Sequence, residues 1–169
     1  MSAEALAAYA ELLRRWAPRV DLVAPGDLDR LESRHIADSL KALPVVRAAP
    51  PGPALDAGSG AGLPGVPLSL ADPGRLWRLL EPRAKRAAFL DEVVRELALH
   101  AEVIRKTTSE AASDPLLAGQ HAVATARALA PPPTAFELLR PLMTPDGIRI
   151  VWVGEGAEIP ADAERGPRG

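Results

Sequence analysis

The sequence predicts a doubly wound α/β domain, a mostly parallel sheet with helices on both faces, preceded by an N-terminal helical cap. From residue 54 onward, short apolar segments alternate with helical patterns, an order typical of parallel sheets. Before residue 54 only helical patterns occur, and the stiff segment 50–53 (PPGP) separates the two regions. We therefore expect a cap over residues 1–50, an α/β domain over residues 51–154 and a flexible tail over residues 155–169.

Two helices are predicted in the cap. In residues 3–17, apolar side chains recur at three- and four-residue spacing, which is typical of an amphipathic helix, and Pro18 ends it. A second helix is predicted to begin at Asp27, because aspartate often caps a helix N-terminus. It is predicted to end at Leu43, because Pro44 follows.

Five strands and the helices between them are predicted in the α/β domain. Short apolar segments bounded by turn residues predict strands at residues 54–57, 76–80, 101–105, 121–125 and 148–153. Apolar residues on one face predict helices at residues 83–99 and 134–142, a helix that ends near residue 71, and a short helix or loop at residues 109–118. A turn is predicted at residues 145–147, before the fifth strand.

Composition excludes several classes of protein. The chain has 169 residues, of which 47% are hydrophobic and 25% charged, so it can bury a core and is not a disordered chain. It has no cysteine, which excludes disulfides, thiol nucleophiles and cysteine-ligated metals. Its net charge of −2 gives no global support to nucleic-acid binding. The first sixteen residues do not follow the pattern of a secretory signal, and no apolar run is long enough to span a bilayer, so we expect a cytoplasmic protein without a membrane partner.

A glycine-rich turn directly after the first strand is the main candidate site. Such a turn lets the backbone approach a ligand, and in parallel sheets ligands bind at the carboxyl ends of the strands. Residues 60–65 (GAGLPG) fit the dinucleotide pattern G-x-G-x-x-G. That pattern needs its first glycine at the strand end, which is Gly58, and counting from there places Leu63 where the third glycine is required. The carboxylate of Asp56 suits a ligand with an ammonium group, which favours S-adenosylmethionine; a dinucleotide-dependent reductase is a more distant alternative.

Glu81 follows the second strand, 21 residues after Gly60. A carboxylate at this position can accept hydrogen bonds from two ribose hydroxyls, and the spacing matches the roughly 20 residues expected. Because both kinds of cofactor contain ribose, Glu81 supports a nucleoside without choosing between them.

Four motifs occur in a familiar order: residues 35–40 (HIADSL), 56–65 (DAGSGAGLPG), 80–90 (LEPRAKRAAFL) and 125–130 (TARALA). Because of these four motifs, the chain resembles the bacterial 16S ribosomal RNA guanine-N7 methyltransferase family, also called glucose-inhibited division protein B. The resemblance extends over about residues 9–150. The resemblance implies an enzyme with a Rossmann-like S-adenosylmethionine-dependent methyltransferase fold, acting on ribosomal RNA of the small subunit. It implies no metal.

The resemblance also implies roles for individual residues. The residues expected to contact the cofactor are Asp56, Gly58, Gly60, Gly62, Leu63, Glu81 (ribose), Ser109 and Glu110 (adenine), and Arg127. Arg127 is also the expected catalytic residue, beside the target base, where its planar donor fork suits a phosphate or guanine O6. The methyl group of the sulfonium is already activated and guanine N7 carries no proton, so alignment does most of the catalytic work.

His35, Asp38 and Ser39 lie three and four residues apart and share one face of the second predicted helix. The resemblance places this face near the RNA-binding mouth, so the three are candidate substrate-binding residues. The alternative is a polar cluster that orients the helix, and the sequence leaves both interpretations open.

The sequence departs from the family pattern in three places. The family continues past the fifth strand with a hairpin and a basic tail, whereas this chain stops at Gly169. A family asparagine is Asp21 here, and a family lysine-glycine pair is Val153-Gly154. The uncovered fifth strand exposes a sheet edge at which a homodimer can form. The alternative to an active methyltransferase is a shortened, catalytically silent paralogue that binds S-adenosylmethionine as a regulatory or interaction module.

Overall fold

The computed structural model describes residues 3–154 together with residues 163 and 164, and its centre is a five-stranded sheet. The strands are β1 (Ala54–Ala57), β2 (Trp77–Leu80), β3 (Ala101–Ile104), β4 (His121–Arg127) and β5 (Met143–Trp152). Their order is β3-β2-β1-β4-β5 and every neighbouring pair is parallel. This arrangement confirms the predicted α/β fold. The order reverses beside β1, between β1 and β4, which is where open parallel sheets bind ligands.

Seven α-helices are present in the described part of the chain: α1 (Ala3–Trp16), α2 (Ala37–Leu40), α3 (Leu43–Ala48), α4 (Gly65–Ala71), α5 (Ala84–Glu96), α6 (Thr108–Ala112) and α7 (Pro132–Leu139). None of the helices in residues 3–154 is long and apolar enough to cross a membrane.

The second helix of the cap differs from the prediction. Instead of one helix over residues 27–43, the chain forms a 3-10 helix at Pro25–Arg30 and a π-helix at Leu31–Ile36, followed by α2 and α3. Pro44 lies in the first turn of α3, where the missing N–H of proline costs no hydrogen bond. The proline therefore begins a helix here rather than ending one.

The last strand also starts earlier than predicted. The predicted helix 134–142 is α7 followed by a 3-10 turn at Arg140–Leu142, and β5 then pairs with β4 from Met143. The register shifts between Met143 and Ile148, so the turn predicted at residues 145–147 is an irregularity within the strand. Such bulges suit a strand at the edge of a sheet. Regular pairing resumes at Ile148, the predicted start of the strand.

The cap and the sheet share one hydrophobic core. Tyr9 and Leu13 of α1 are fully buried in the same cluster as Val66 of α4, Leu79 of β2 and Leu90 of α5. The opposite face of the sheet packs on α6, α7 and their flanking segments, through a second cluster. Helices therefore cover both faces, as predicted. The division into cap and α/β domain stays a prediction, and the predicted tail lies outside the described residues except for residues 163 and 164.

A buried carboxylate joins β1, β4 and α4. Asp56 is fully buried. Its Oδ1 accepts a hydrogen bond of 2.6 Å from the hydroxyl of Thr125, and its Oδ2 accepts one of 3.2 Å from the backbone N–H of Gly65. A Cβ on Gly65 would lie 2.8 Å from the Cβ of Asp56, so only glycine permits this close approach. Burial raises the pKa of the Asp56 carboxyl to about 6, against the smaller opposing effect of its hydrogen bonds.

Asp56→Asn is expected to remove a pH dependence of stability. The pKa of this carboxyl is raised from 3.8 to about 6 by folding, so between these values the folded state retains a proton that the unfolded state has lost. The free energy of unfolding of the wild type should therefore fall, by roughly 3 kcal/mol relative to the variant, as pH rises through this window. Urea denaturation of both proteins from about pH 4 to pH 7 measures the difference.

Asparagine is the matched replacement because its amide can accept from Gly65 while the hydroxyl of Thr125 reverses its role and accepts from the amide N–H. If the free energies of unfolding of wild type and variant change equally between about pH 4 and pH 7, the folded state does not retain a proton on Asp56 in this window, and the prediction is wrong.

Candidate functional site

The glycine-rich turn after β1 lies at the carboxyl edge of the sheet, between β1 and α4. Gly58, Gly60 and Gly62 have φ angles of +67°, +53° and +87°. The turn is tied down by backbone hydrogen bonds, of 3.0 Å from the N–H of Ser59 to the carbonyl of Leu80 and of 2.6 Å from the N–H of Gly62 to the carbonyl of Ser59. The turn is therefore a fixed backbone cradle against the end of β2. Leu63, at its far end, is half-buried against the main core.

The cap supports this turn from behind. The buried hydroxyl of Tyr9 in α1 donates a 2.6 Å hydrogen bond to the carbonyl of Ala61. A Cβ on Gly62 would lie 2.6 Å from Val66 and 3.2 Å from this hydroxyl. The first helix of the chain therefore sets the shape of the turn. The sequence does not predict this role, because Tyr9 lies on the apolar stripe of residues 3–17, a pattern that indicates only packing in the core.

Glu81 lies against the glycine turn, as its position after β2 predicted. Its side chain is buried, with 3% of the residue exposed. Oε2 accepts a 3.0 Å hydrogen bond from the N–H of Gly60, and Oε1 accepts one of 2.8 Å from the N–H of Arg83. Two backbone groups thus fix the carboxylate at the junction of β1 and β2.

Asp56 is placed differently from Glu81. Its two carboxylate oxygens receive hydrogen bonds from Thr125 and Gly65, and the residue is fully buried. In this arrangement the carboxylate holds the turn in place. A direct contact of Asp56 with a ligand's ammonium group stays a prediction.

Ser109 and Glu110 lie beyond β3, at the same edge of the sheet. The N–H of Glu81 donates to the carbonyl of Ile104, the last residue of β3, with a distance of 3.0 Å, so the ends of β2 and β3 are adjacent. Ser109 and Glu110 are exposed and border a shallow depression of about 570 Å³. Glu110 also caps α6: its carboxylate accepts from the N–H and hydroxyl of Thr107, which lowers its pKa.

Arg127 ends β4 and contacts the cap. Its Nη2 donates a 2.7 Å hydrogen bond to Nδ1 of His35, and its Nη1 lies 3.8 Å from a carboxylate oxygen of Asp38. Because Nδ1 accepts, the hydrogen of this imidazole belongs on Nε2, which lies 3.4 Å from Asp27. Nη1 of Arg127 is buried and has no hydrogen-bond partner among the described residues.

The three polar residues on the shared helical face divide into two roles. His35 and Asp38 meet Arg127, so the structure brings together residues 92 and 89 positions apart in the chain. Ser39 is fully buried and its hydroxyl donates to the carbonyl of His35, a bond within its own helical segment. Ser39 thus orients the helix, and its contact with a substrate stays a prediction. Asp27, assigned only as a helix cap from the sequence, belongs to the Arg127 cluster.

Comparison with known proteins identifies the family. A profile of the family described as rRNA small subunit methyltransferase G (GidB) matches residues 2–165. The chain is 40% identical over 152 residues to the ribosomal RNA small subunit methyltransferase G of Halorhodospira halophila, covering 90% of this chain and 69% of the relative. It is 38% identical over 163 residues to the enzyme of the same name from Paracoccus denitrificans, covering 96% of this chain and 80% of the relative.

Solved structures show the same fold. A protein from Corynebacterium glutamicum matches with a TM-score of 0.62 and 16% identity, over 89% of this chain and 67% of that one. Geranyl diphosphate C-methyltransferase from Streptomyces coelicolor, solved with S-adenosyl-L-homocysteine, matches with a TM-score of 0.54 and 18% identity, over 75% of this chain and 47% of that one. The sequence relatives and the family profile, each covering most of this chain, show that it belongs to the rRNA small subunit methyltransferase G family.

Proposed function

We propose that this chain transfers a methyl group from S-adenosylmethionine to N7 of a guanine in small-subunit ribosomal RNA, and that it acts in the cytoplasm, where ribosomal subunits are found. Membership of the family supports this activity. The observation that carries it is the placement of Glu81 against the glycine turn, with Gly60 donating to its carboxylate over 3.0 Å. This pair sits at the strand ends where parallel sheets bind nucleotides.

The residues present fit the nucleoside part of this cofactor. Each oxygen of the Glu81 carboxylate receives one backbone N–H and retains a further lone pair, which suits a ribose hydroxyl. A Cβ built on Gly60 would make only ordinary van der Waals contacts, the nearest being at 3.7 Å, so no side chain is pressed against the backbone of the turn at this residue. The cofactor would therefore lie on the backbone of the turn, with Leu63 at one end and with Ser109 and Glu110 at the adenine end.

The cofactor, when bound, supplies an electrophilic methyl group. The task left to the chain is to align the guanine with it, because N7 attacks with a lone pair and no proton has to be removed. Alignment of this kind is worth on the order of 7–11 kcal/mol. This chemistry asks for rigid positioning groups rather than for a general base, and the described site offers such groups.

Arg127 is the group best placed to orient the target. Nη2 donates to His35, whereas Nη1 is buried, lies 3.8 Å from Asp38 and makes no hydrogen bond to a described residue, so it can donate to guanine O6 or to a phosphate. A buried donor without a partner is costly, so a ligand acceptor at this position stabilises the complex. His35 and Asp38 hold the guanidinium and thus act on the substrate through Arg127.

Methyl transfer is the direct test of the proposed function. Incubation of the purified chain with small-subunit ribosomal RNA and labelled S-adenosylmethionine should yield labelled 7-methylguanosine after nuclease digestion. Calorimetry should show that the chain binds the cofactor in the absence of RNA. Cofactor binding without labelled guanosine would instead favour the silent binding module, and the absence of both would contradict the proposed site.

Glu81→Gln should weaken cofactor binding by about tenfold to a hundredfold, because it replaces a charged acceptor by a neutral amide at the ribose position. Calorimetric titration with S-adenosylmethionine measures the dissociation constant. Glu102→Gln is the matched control, since Glu102 is on β3 with its carboxylate paired to Arg78 at 2.7 Å. Equal affinities of wild type and Glu81→Gln would remove Glu81 from the ribose site.

Arg127→Lys should lower methyl transfer to ribosomal RNA by about tenfold to a hundredfold, because an ammonium group cannot bond to His35 and to the target through one planar fork. The affinity for S-adenosylmethionine should change much less, since the turn and Glu81 hold the ribose. Measuring both turnover and the affinity for S-adenosylmethionine shows whether Arg127 acts on the target guanine or on the cofactor. Arg140→Lys, at an exposed pair with Glu137, is the control. Unchanged turnover would contradict this role.

The exposed strand β5 supports a proposal about assembly. Among the described residues β5 pairs only with β4, and no described strand lies along its other edge. We propose that two copies pair along this edge. Sedimentation equilibrium should then give a mass near twice the 17.8 kDa of one chain, and a monomer at every concentration would contradict the pairing.

A further inference from the structure

A groove with a concentration of positive charge lies between the segment after α1 and the start of α5. It has a volume of about 410 Å³, and its charged lining consists of Arg19, Asp21, Arg83, Lys85 and Arg86. All of these side chains are exposed except that of Arg86, which is half-buried. Four cations and one anion thus face a common space, in a chain whose net charge is −2.

Most of this positive charge is not paired with an acidic side chain in the described part of the chain. Asp21 pairs with Arg86 at 3.1 Å. Arg19, Arg83 and Lys85 have no salt bridge to any described residue.

The start of α5 is an unfavourable place for positive charge. Arg83, Lys85 and Arg86 occupy the cap and first turn of α5, where no acidic residue is present and the helix dipole disfavours cations. The cost is compensated if an anion binds in the groove.

The groove is continuous with the proposed cofactor site. The N–H of Arg83 donates to the carboxylate of Glu81 at 2.8 Å. Nη1 of Arg86 lies 3.7 Å from the position of a Cβ built on Gly60. An anion in the groove would therefore lie beside the glycine turn.

We propose that this groove binds the sugar–phosphate backbone of the RNA that flanks the target guanine, and that Asp21 weakens this contact by holding Arg86. The proposal rests on the proposed function, because the groove adjoins that site. Backbone phosphates are the acceptors that several cations in one groove recognise without reading sequence. The side chain of Asp21 is 93% exposed, so it lies where it also repels an approaching phosphate.

The proposal predicts changes of opposite sign. Arg83→Gln with Lys85→Gln should lower the affinity for small-subunit ribosomal RNA by about tenfold or more, and should reduce the slope of log affinity against log salt by about 1.5, since two phosphate contacts are lost. Asp21→Asn should raise the affinity by about twofold to fivefold. Filter binding over a salt series measures both effects. The controls are Arg95→Gln and Glu96→Gln, which alter an exposed pair at the other end of α5 and should leave affinity and slope unchanged.

Calorimetry with S-adenosylmethionine on the same variants shows whether the groove binds an RNA phosphate or the carboxylate of the cofactor. Cofactor binding also confirms that the variants are folded. If the double variant loses affinity for the cofactor and keeps its affinity for RNA, the groove holds the carboxylate of the cofactor and the proposal is wrong. If wild type and variants share one salt slope while the wild type methylates RNA, the groove proposal fails and the proposed function stands. A groove-dependent slope in a chain that transfers no methyl group supports the groove and contradicts the proposed function.

Discussion

The buried carboxylate of Asp56 is the constraint on which the rest of the site depends. By accepting from Thr125 on β4 and from Gly65 at the start of α4, it fixes three elements at the point where the strand order reverses. The glycine turn spans the interval between two of these fixed points, so its path is determined at both ends. Glu81 contacts the middle of the turn directly, since its carboxylate accepts a hydrogen bond from the N–H of Gly60.

The N-terminal helices are part of the site. Tyr9 holds the turn from below through Ala61, and His35 holds Arg127 at the end of β4. Both contacts join residues more than fifty positions apart, and Tyr9 and His35 are both buried residues. The cap therefore sets the geometry on both sides of the reversal point, which suits a reaction governed by alignment.

The sequence predicted those features that follow from local pattern and from the rules of parallel sheets. The strands, the glycine turn and the placement of Glu81 beside it follow from alternating elements and from strand ends meeting at one edge. The hydrogen bonds from Tyr9 and Thr125 and the contact between Asp27 and His35 could not be predicted, because each depends on which distant residue folding brings within reach. The capping role of Glu110 was not predicted, although the T-x-x-E pattern of residues 107–110 is a helix-start signature that could have indicated it. Pro44 was misread, since proline suits the first turn of a helix as well as the position after one.

The overall charge of the chain and the charge of its site are separate quantities. A net charge of −2 determines the electrostatic potential far from the protein, and salt screens that potential over a distance of roughly 8–10 Å. A phosphate in contact with the groove lies well inside that distance of Arg83 and Lys85, so the local surplus of cations governs its binding. Asp21 is the one charge in the lining that opposes it. A negative total charge is therefore compatible with an RNA substrate, provided that cations collect where the RNA binds, as they do in the groove beside Gly60 and Glu81.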